Sequence, residues 1–344
     1  MTSTAQAVTA ADVFGQRKAT PLQRVQHTLH RHPSLSPLVV LAVTVVFFAS
    51  QTDRFLQPGN LSLVLQQVAI IGALAIGQTL IVLTAGIDLS VGAAMVLSAM
   101  VMGTLSGSWG LPGWVAILLG LAFGAATGLV NGVLVSRVNL PPFIVTLGTL
   151  SVFTAVALLM SGGRSIPGAE LDSLLLWTST SISLGGFQLT VGVVVVLVGY
   201  LVVGYALSQT AWGRHVYAVG DDASASRLAG IRTPRVLLSV YVVAGIICGV
   251  AAWVLIGRVG AATTNSAVDA NLDSITAVVI GGTSLFGGRG RLLGTLLGAL
   301  IVGVFRNGLA LMRVDVLYQT LAIGLLIILA VSLDQWIRRT GVRA

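Results

Sequence analysis

Ten apolar intervals follow one another along the chain, and their lengths constrain its fold more than any other feature. They cover roughly residues 36–50, 62–84, 89–106, 111–135, 142–160, 189–208, 236–257, 272–287, 291–308 and 314–334. A helix needs about 20 apolar residues to cross some 30 Å of hydrocarbon. The pattern therefore predicts an all-α, polytopic membrane helix bundle with about ten transmembrane helices and glycine-broken segments. Eight spans with re-entrant segments remain an alternative.

The composition excludes most soluble classes of protein. Of the 344 residues, 55% are hydrophobic and 9% are charged, whereas soluble domains carry about 25% charged residues. A soluble enzyme, a disordered regulator and a coiled coil are therefore excluded. Cys248 is the single cysteine, so neither an intrachain disulfide nor a cysteine-based zinc cluster is expected.

The positive charge predicts membrane topology rather than nucleic-acid binding. The net charge is +8, and excess Arg and Lys collect on cytoplasmic loops of membrane proteins. With the N-terminus inside and ten spans, fourteen basic residues fall inside and five fall outside. We therefore expect cytoplasmic tails at residues 1–35 and 336–344, a membrane domain at residues 36–335 and no nucleic-acid partner. An eight-span bundle keeps the same parity.

The N-terminal tail predicts no cleaved signal peptide, because it is polar and basic without an early apolar core. A short helix on the membrane surface is expected between Pro21 and His32, since its apolar residues share one face. His27, His30 and His32 cluster there without a nearby carboxylate or cysteine. No metal site is expected from them.

The chain lacks an energy source of its own. Lys18 is the only lysine and lies outside any glycine-rich loop, so a phosphate-binding Walker loop is excluded. Glu170 is the only glutamate, and Asp88 is the one acid firmly inside an apolar interval. This favours transport powered by another chain, although an ion-coupled secondary transporter of a small polar solute stays open. A membrane-embedded enzyme is disfavoured, because no catalytic motif is present.

The longest predicted cytoplasmic loop, residues 208–235, contains a short helix. Asp221 or Asp222 can accept hydrogen bonds at its start, and Gly230 can end it. One interpretation is a solvated linker, and the other is a rigid knob that docks on a cytoplasmic partner. The second interpretation selects as docking residues Gly213, Asp222, Ser226, Arg227 and Gly230.

A polar break in the sequence LTAGIDLSVGA, residues 83–93, predicts a translocation path or gate. Non-helical backbone at membrane depth is tolerated where it is buried in protein or lines a wet cavity. Residues 282–288 repeat its Gly-x-x-Leu-x-x-Gly spacing, and paired broken segments indicate a transport site. Asp88 as a helix cap at the cytoplasmic rim is the alternative. The candidate path or gate residues are Gln78, Thr84, Asp88, Ser90, Asn131, Thr146, Thr149 and Ser284.

Two further features have structural interpretations. Glycines recur at every fourth position of one span, which predicts close approach of a neighbouring helix; they are Gly120, Gly124, Gly128 and Gly132. The Pro141-Pro142 pair breaks the chain at a cytoplasmic turn. Hydroxyls in the helix that follows bond either a sugar or their own backbone carbonyls.

Several of these motifs together resemble the permease subunits of bacterial ABC importers for monosaccharides, the ribose/xylose/arabinose/galactose transport family. The resemblance covers about residues 60–335 in one order. Its motifs include TAGIDLSVGA, LPPFIVTLGT at 140–149, AVGDD at 218–222 and IGGTSLFGGRGRLLGTLLGAL at 280–300. Residues 153–155, Phe-Thr-Ala, depart from an arginine-glycine step that is common in the family.

The resemblance implies a multi-pass protein of the bacterial inner membrane that imports a simple sugar. Its partners would be a second permease, identical or paralogous, a cytoplasmic ABC ATPase, and an extracytoplasmic sugar-binding protein that docks near residues 162–188. ATP and magnesium would bind the ATPase, so no cofactor is expected on this chain. Residues 222–230 would be the coupling helix, and the path would hold sugar only weakly.

Overall fold

The computed structural model describes residues 35–265, 269–325 and 328. The expected surface helix with its three histidines and the expected C-terminal tail lie outside the described residues. Within them, the chain forms helices with two small two-stranded sheets. The all-α bundle predicted from the apolar intervals is confirmed.

Ten apolar helices occupy the ten predicted intervals, but they differ in length. Seven of the described helices are long and apolar enough to cross a membrane: α2 (Pro58–Leu83), α3 (Val91–Gly103, continued as a π-helix over Thr104–Ser108), α4 (Gly113–Ser136), α5 (Pro142–Ser161), α7 (Val191–Gln209), α10 (Thr233–Val259) and α12 (Leu292–Leu311). Three are shorter: α1 (Leu35–Gln51), α11 (Ala270–Ile280) and α13 (Val316–Leu325).

Helix α11 shows why ten full spans was too simple a prediction. It has 11 residues, which rise only about 16 Å at 1.5 Å per residue. Gly281 and Gly282 follow it, and Gly282 adopts a φ of 84°, a left-handed conformation that ends helices. Residues 281–287, which were expected to continue the apolar interval 272–287, therefore belong to a loop that runs to residue 291.

Helix α2 is the centre of the bundle. In an apolar stretch of 18 residues of α2, 83% of the residues are buried, whereas the share in the corresponding stretches of α5 and α7 is 28% each. Two of the helices around α2 meet it through small residues: Gly77 lies against Ala244 of α10, and Thr79 Oγ1 lies 2.8 Å from Thr295 Oγ1 of α12. Apolar side chains on α5 and α7 face outward, as in lipid-facing helices.

Helices α4 and α10 approach each other along the predicted glycine face. A Cβ built on Gly128 would meet the main chain of Tyr241 and Val242, and one built on Gly124 would meet the Gly245 carbonyl. Gly132 faces Leu238 and Tyr241, whereas Gly120 faces Met102 of α3. Close backbone contact of this kind strengthens dispersion attraction between helices in lipid.

The two ends of the bundle carry different structures. At one end, the short helices α8 (Ala211–Asp221) and α9 (Ala223–Leu228) join α7 to α10; we call this the α8–α9 end. At the other end, strands β1 (Ile166–Pro167) and β4 (Ala261–Ala262) pair antiparallel, and β2 (Ser181–Leu184) forms a hairpin with β3 (Phe187–Thr190). The four-residue helix α6 (Ser173–Leu176) lies between β1 and β2.

Candidate translocation path and coupling surface

The broken segment, residues 84–90, joins α2 to α3 without helix. Gly86 N–H donates to the Ile81 carbonyl at 3.0 Å, and Ala85 adopts a φ of 60°. A left-handed residue after the last turn terminates an α-helix. Thr84 turns its hydroxyl back to the Ile81 carbonyl at 2.8 Å. Four of the seven residues, including Asp88, are buried.

Asp88 organises the start of α3 through three buried polar groups. Its Oδ1 accepts from the backbone N–H and from the hydroxyl of Ser90, both at 2.6 Å. Asn131 Nδ2 of α4 donates to Ser90 Oγ at 2.9 Å. The three residues chosen from sequence at positions 88, 90 and 131 are thus one hydrogen-bonded cluster. Because all three are at most 4% exposed, loss of any member would leave a buried polar group without a partner.

Side chains from two other helices hold the carbonyls of the broken segment. Thr146 Oγ1 of α5 donates to the Ile87 carbonyl at 3.0 Å, and Asn271 Nδ2 of α11 donates to the Leu89 carbonyl at 3.1 Å. The segment is therefore fixed from both sides. Asn271 was missed from sequence, because nothing in its own neighbourhood connects it with a carbonyl 182 positions earlier.

A cavity of about 300 Å³ lies beside this segment, and Thr84, Gly86, Asn139 and Tyr241 are among its lining residues. Several buried polar side chains among the described residues keep atoms without hydrogen-bond partners, and three of them belong to α2, α4 and α10. They are both amide atoms of Gln78, the Tyr241 hydroxyl and Asn131 Oδ1. Unsatisfied buried polar atoms are rare in folded proteins and indicate functional sites or bound water.

Two of the candidate path residues form hydrogen bonds within their own elements. Thr149 donates to the Thr146 carbonyl of its own helix at 3.4 Å. Of the two roles expected for hydroxyls in this helix, this is the bond to a backbone carbonyl. Ser284 belongs to the loop after α11, where its Oγ accepts from Phe286 N at 3.2 Å.

The loop after α11 does meet the end of α2, through main-chain atoms. Gly288 N–H donates to the Leu83 carbonyl at 2.9 Å. A Cβ built on Gly220 of α8 would collide with the same carbonyl, and one on Gly287 would collide with the Gly220 carbonyl. We call these contacts of Leu83, Gly220, Gly287 and Gly288 the backbone junction. It ties α8 to the start of the broken segment.

Tyr217 adds a side-chain bond to the backbone junction. Its hydroxyl donates to the Gly290 carbonyl at 2.9 Å. Burial raises the pKa of the Tyr217 phenol above its ordinary value, although the charge of Arg291 lowers it in part. The phenol therefore stays protonated and able to donate at neutral pH.

Helix α9 projects from the α8–α9 end as a short, capped helix. Asp222 Oδ1 accepts from Ser224 N at 2.7 Å and from Ala225 N at 2.9 Å, and Gly230 ends the turn with a φ of 84°. The two N–H bonds hold the pKa of the Asp222 carboxyl below its usual range. Leu228, the last residue of α9, is 91% exposed.

The predicted docking residues divide into exposed and buried groups. Asp222, Arg227 and Gly230 are exposed, but Ser226 is buried and Gly213 packs against the Leu207 main chain. Gly213 and Ser226 are therefore not exposed, and their role in coupling to the ATPase stays a prediction. They face inward because α8 folds back on the end of α7 and α9 rests one face on the bundle. Leu228, which was not selected, occupies the exposed position.

A polytopic helix bundle with a buried, polar broken segment that begins next to α8, and with a capped helix projecting from the same end, is typical of a membrane transport protein. Residues 60–331 match the family described as "Branched-chain amino acid transport system / permease component". The chain belongs to this family of transport permeases. It is accordingly a transporter subunit, a role that is not enzymatic.

Individual relatives extend the similarity over most of the chain. The fructose import permease protein FrcC of Rhizobium meliloti is 47% identical over 332 residues, which cover 95% of this chain and 92% of that protein. The ribose import permease protein RbsC of Bacillus subtilis is 36% identical, with 92% and 98% covered. The D-allose transport system permease protein AlsC of Escherichia coli is 34% identical, with 87% and 91% covered. The resemblance to sugar permeases drawn from the motifs is confirmed.

Proposed function

We propose that this chain is the membrane permease subunit of an ATP-binding cassette importer for a simple sugar. The observation that carries the proposal is the backbone junction, which connects the exposed helix α9 with the polar segment around Asp88. Three relatives named for import or transport of fructose, ribose and allose support the sugar class. No relative named here supports an ion-coupled mechanism.

Helix α9 is the proposed docking site for a cytoplasmic ABC ATPase, which binds ATP and magnesium. Asp222 fixes the start of α9, and Leu228 and Arg227 are exposed at its far end. Motion of the ATPase displaces α9 and, through α8, the Leu83 carbonyl. Because the broken segment begins directly after Leu83, that displacement reaches the Asp88 cluster without passing through a flexible linker.

The proposed orientation places the α8–α9 end in the cytoplasm. The excess of Arg and Lys on the loops of that side supports it, as does the need of the ATPase for cytoplasmic ATP. Both termini are then cytoplasmic and the membrane is the inner membrane of a bacterium. A second permease, identical or paralogous, completes the pair.

The opposite end is the proposed docking face for the extracytoplasmic sugar-binding protein. Residues 162–188 form a structured cap there: β1 pairs with β4, and Trp253 Nε1 donates to the Leu174 carbonyl at 3.0 Å. Ile182 and Leu184 of the hairpin are more than half exposed. A rigid surface with exposed apolar side chains suits repeated docking of a soluble partner.

Reconstitution tests the proposal. Proteoliposomes that contain the chain, its ATPase and its binding protein should accumulate fructose when ATP is supplied, whereas the chain alone should not. Accumulation by the chain alone in an ion gradient would overturn the proposal.

A variant pair tests the docking site. Leu228→Asp should reduce copurification of the ATPase, because a carboxylate replaces an exposed apolar contact. Val138→Asp is the matched control: Val138 is an exposed apolar residue at the α8–α9 end, 54% exposed, but lies outside α9. Equal ATPase binding by both variants would place the docking site elsewhere.

A further inference from the structure

A second polar cavity lies near the end of the bundle opposite α8 and α9. Its volume is about 420 Å³, and residues of α2, α10, α11, α12 and α13 line it. Small-molecule sites have volumes of about 300–1,000 Å³. The polar side chains that line it include Gln67, Arg258, Asp269, Asp273, Arg306 and Asn307.

The cavity opens at the end of the bundle and extends inward from there. Gln67 lies nine residues after the start of α2, which corresponds to a depth of about 13 Å. Arg306 precedes the end of α12 by five residues, about 7 Å. Ionisable residues at membrane depth are costly, face protein cavities and mark substrate paths. The position of Arg306 inside α12 therefore indicates a functional cavity and not a solvated loop.

An ion pair forms one wall. Arg306 Nη2 donates to Asp273 Oδ1 at 2.8 Å and lies 3.8 Å from Asp269 Oδ2. The Asp273 side chain is 6% exposed and that of Asp269 is 50% exposed. Arg306 Nε is buried without a hydrogen-bond partner among the described residues. The wall thus keeps an unused donor beside a fixed, buried carboxylate.

The charges in the lining balance. Arg258 and Arg306 supply two positive charges, and Asp269 and Asp273 supply two negative ones. The amide of Gln67 adds donors and an acceptor that carry no charge. A ligand with many hydroxyls and no net charge fits this lining, because each hydroxyl both donates and accepts. An acidic or basic solute gains no net attraction from a lining of zero net charge, so the cost of removing its charge from water is not offset.

We propose that this cavity is a binding site for a neutral monosaccharide, in which the Asp273–Arg306 pair bonds sugar hydroxyls and selects against charged sugars. The inference rests on the proposed function, since it assigns the sugar a place in the permease. Asp273 is the specificity residue: its charge cancels that of Arg306, and its removal leaves the lining with a net positive charge.

Binding to the full-length chain in nanodiscs tests the site, with radiolabelled fructose and gluconate as the probes. The wild type should prefer fructose. Asp273→Asn should weaken fructose binding at least about tenfold and shift the fructose-to-gluconate preference at least about tenfold towards gluconate. Asp53→Asn, which removes an exposed carboxylate outside the cavity, should change neither. An unchanged preference in Asp273→Asn would overturn the proposal.

A second pair of variants leaves the ion pair intact, so a folding defect in Asp273→Asn does not remove the test. Gln67→Ala shortens a side chain that lines the cavity, whereas Gln66→Ala changes its neighbour, which does not line it. Fructose binding should fall about threefold or more in the first variant only. Equal binding in both variants would count against the site.

Failure of the site and failure of the proposed function give different results. If the wild-type chain binds no fructose in nanodiscs but the full importer accumulates it with ATP, the cavity is not the site and the proposed function stands. If the importer with both partners accumulates no sugar, the proposed function falls. Fructose binding that depends on Gln67 and Asp273 would then still establish the cavity as a sugar site.

Discussion

The contact between α4 and α10 allows a sharp test of packing by a single methyl group. In Gly128→Ala, the new Cβ would lie 2.9 Å from the Tyr241 carbonyl carbon and 3.1 Å from Val242 Cα, and closer still to the Tyr241 carbonyl oxygen. All three atoms belong to the main chain of α10. No rotamer change can remove the overlap, so the two helices must separate.

The magnitude follows from that geometry. Overpacking a close-packed interior by one methylene costs about 1–3 kcal/mol. Gly148 of α5 is the matched control, because a Cβ there would meet nothing within 4 Å. Replacing a helical glycine by alanine without a clash stabilises the helix by up to about 1 kcal/mol. Both variants gain this helix propensity, so Gly128→Ala should be less stable than Gly148→Ala by the overpacking cost alone, about 1–3 kcal/mol.

Reversible unfolding in mixed detergent micelles, followed by far-UV circular dichroism, measures the difference. Both variants should insert into the membrane, because one methyl group leaves the hydropathy of the spans unchanged. Equal free energies of unfolding for the two variants would refute the reasoning. It would mean that α4 and α10 do not meet through their main chains, or that they separate without loss of contact.

Three further predictions concern the polar cluster and the coupling surface. Asn131→Ala removes the donor to Ser90 Oγ and should lower the free energy of unfolding by about 1–3 kcal/mol in the same micelle assay, whereas unchanged stability would mean that the cluster is not formed. Tyr217→Phe deletes the bond to the Gly290 carbonyl and should lower the sugar accumulated per ATP hydrolysed in proteoliposomes while ATPase copurification stays normal; an unchanged ratio would show that this bond carries no motion. Asp222→Ala should weaken ATPase copurification and Asp222→Asn should preserve it, because asparagine also caps helices. Since the folded pKa of Asp222 is lowered, its cap is fully present above about pH 4 and is lost as the pH falls through the lowered value. The wild type should therefore lose ATPase binding more steeply in acid than Asp222→Asn does.

Local patterns in the sequence predicted those features whose cause is local. Periodic glycines in α4 predicted a close helix contact, and they lie against α10 and α3. The cap of α9 is local, because Asp222 accepts hydrogen bonds from the N–H groups two and three positions later. The cluster of Asp88 with Ser90 follows in the same way, since the bond spans two positions.

Features made by distant residues were not predictable. Asn271 bonds a carbonyl 182 positions away, and Asp273 pairs with Arg306 across 33 positions. The sequence placed only Asp88 firmly inside an apolar interval, yet Asp273 is 4% exposed. It is buried because α11 is too short to carry its first turn to the surface of the bundle. The periodicity of the sequence does not predict the depth at which a helix of 11 residues lies relative to its neighbours.

The backbone junction has a consequence for how the protein tolerates change. Because main-chain atoms make its contacts, no rotamer change can take up a displacement of α8. The displacement is therefore passed on to Leu83. Side chains on the exposed face of α9 are then free to diversify with whatever partner they meet. At Gly220 and Gly287, by contrast, even a methyl group would collide with main-chain atoms. A saturation library should therefore yield no functional substitution at these two positions, while the exposed face of α9 tolerates many.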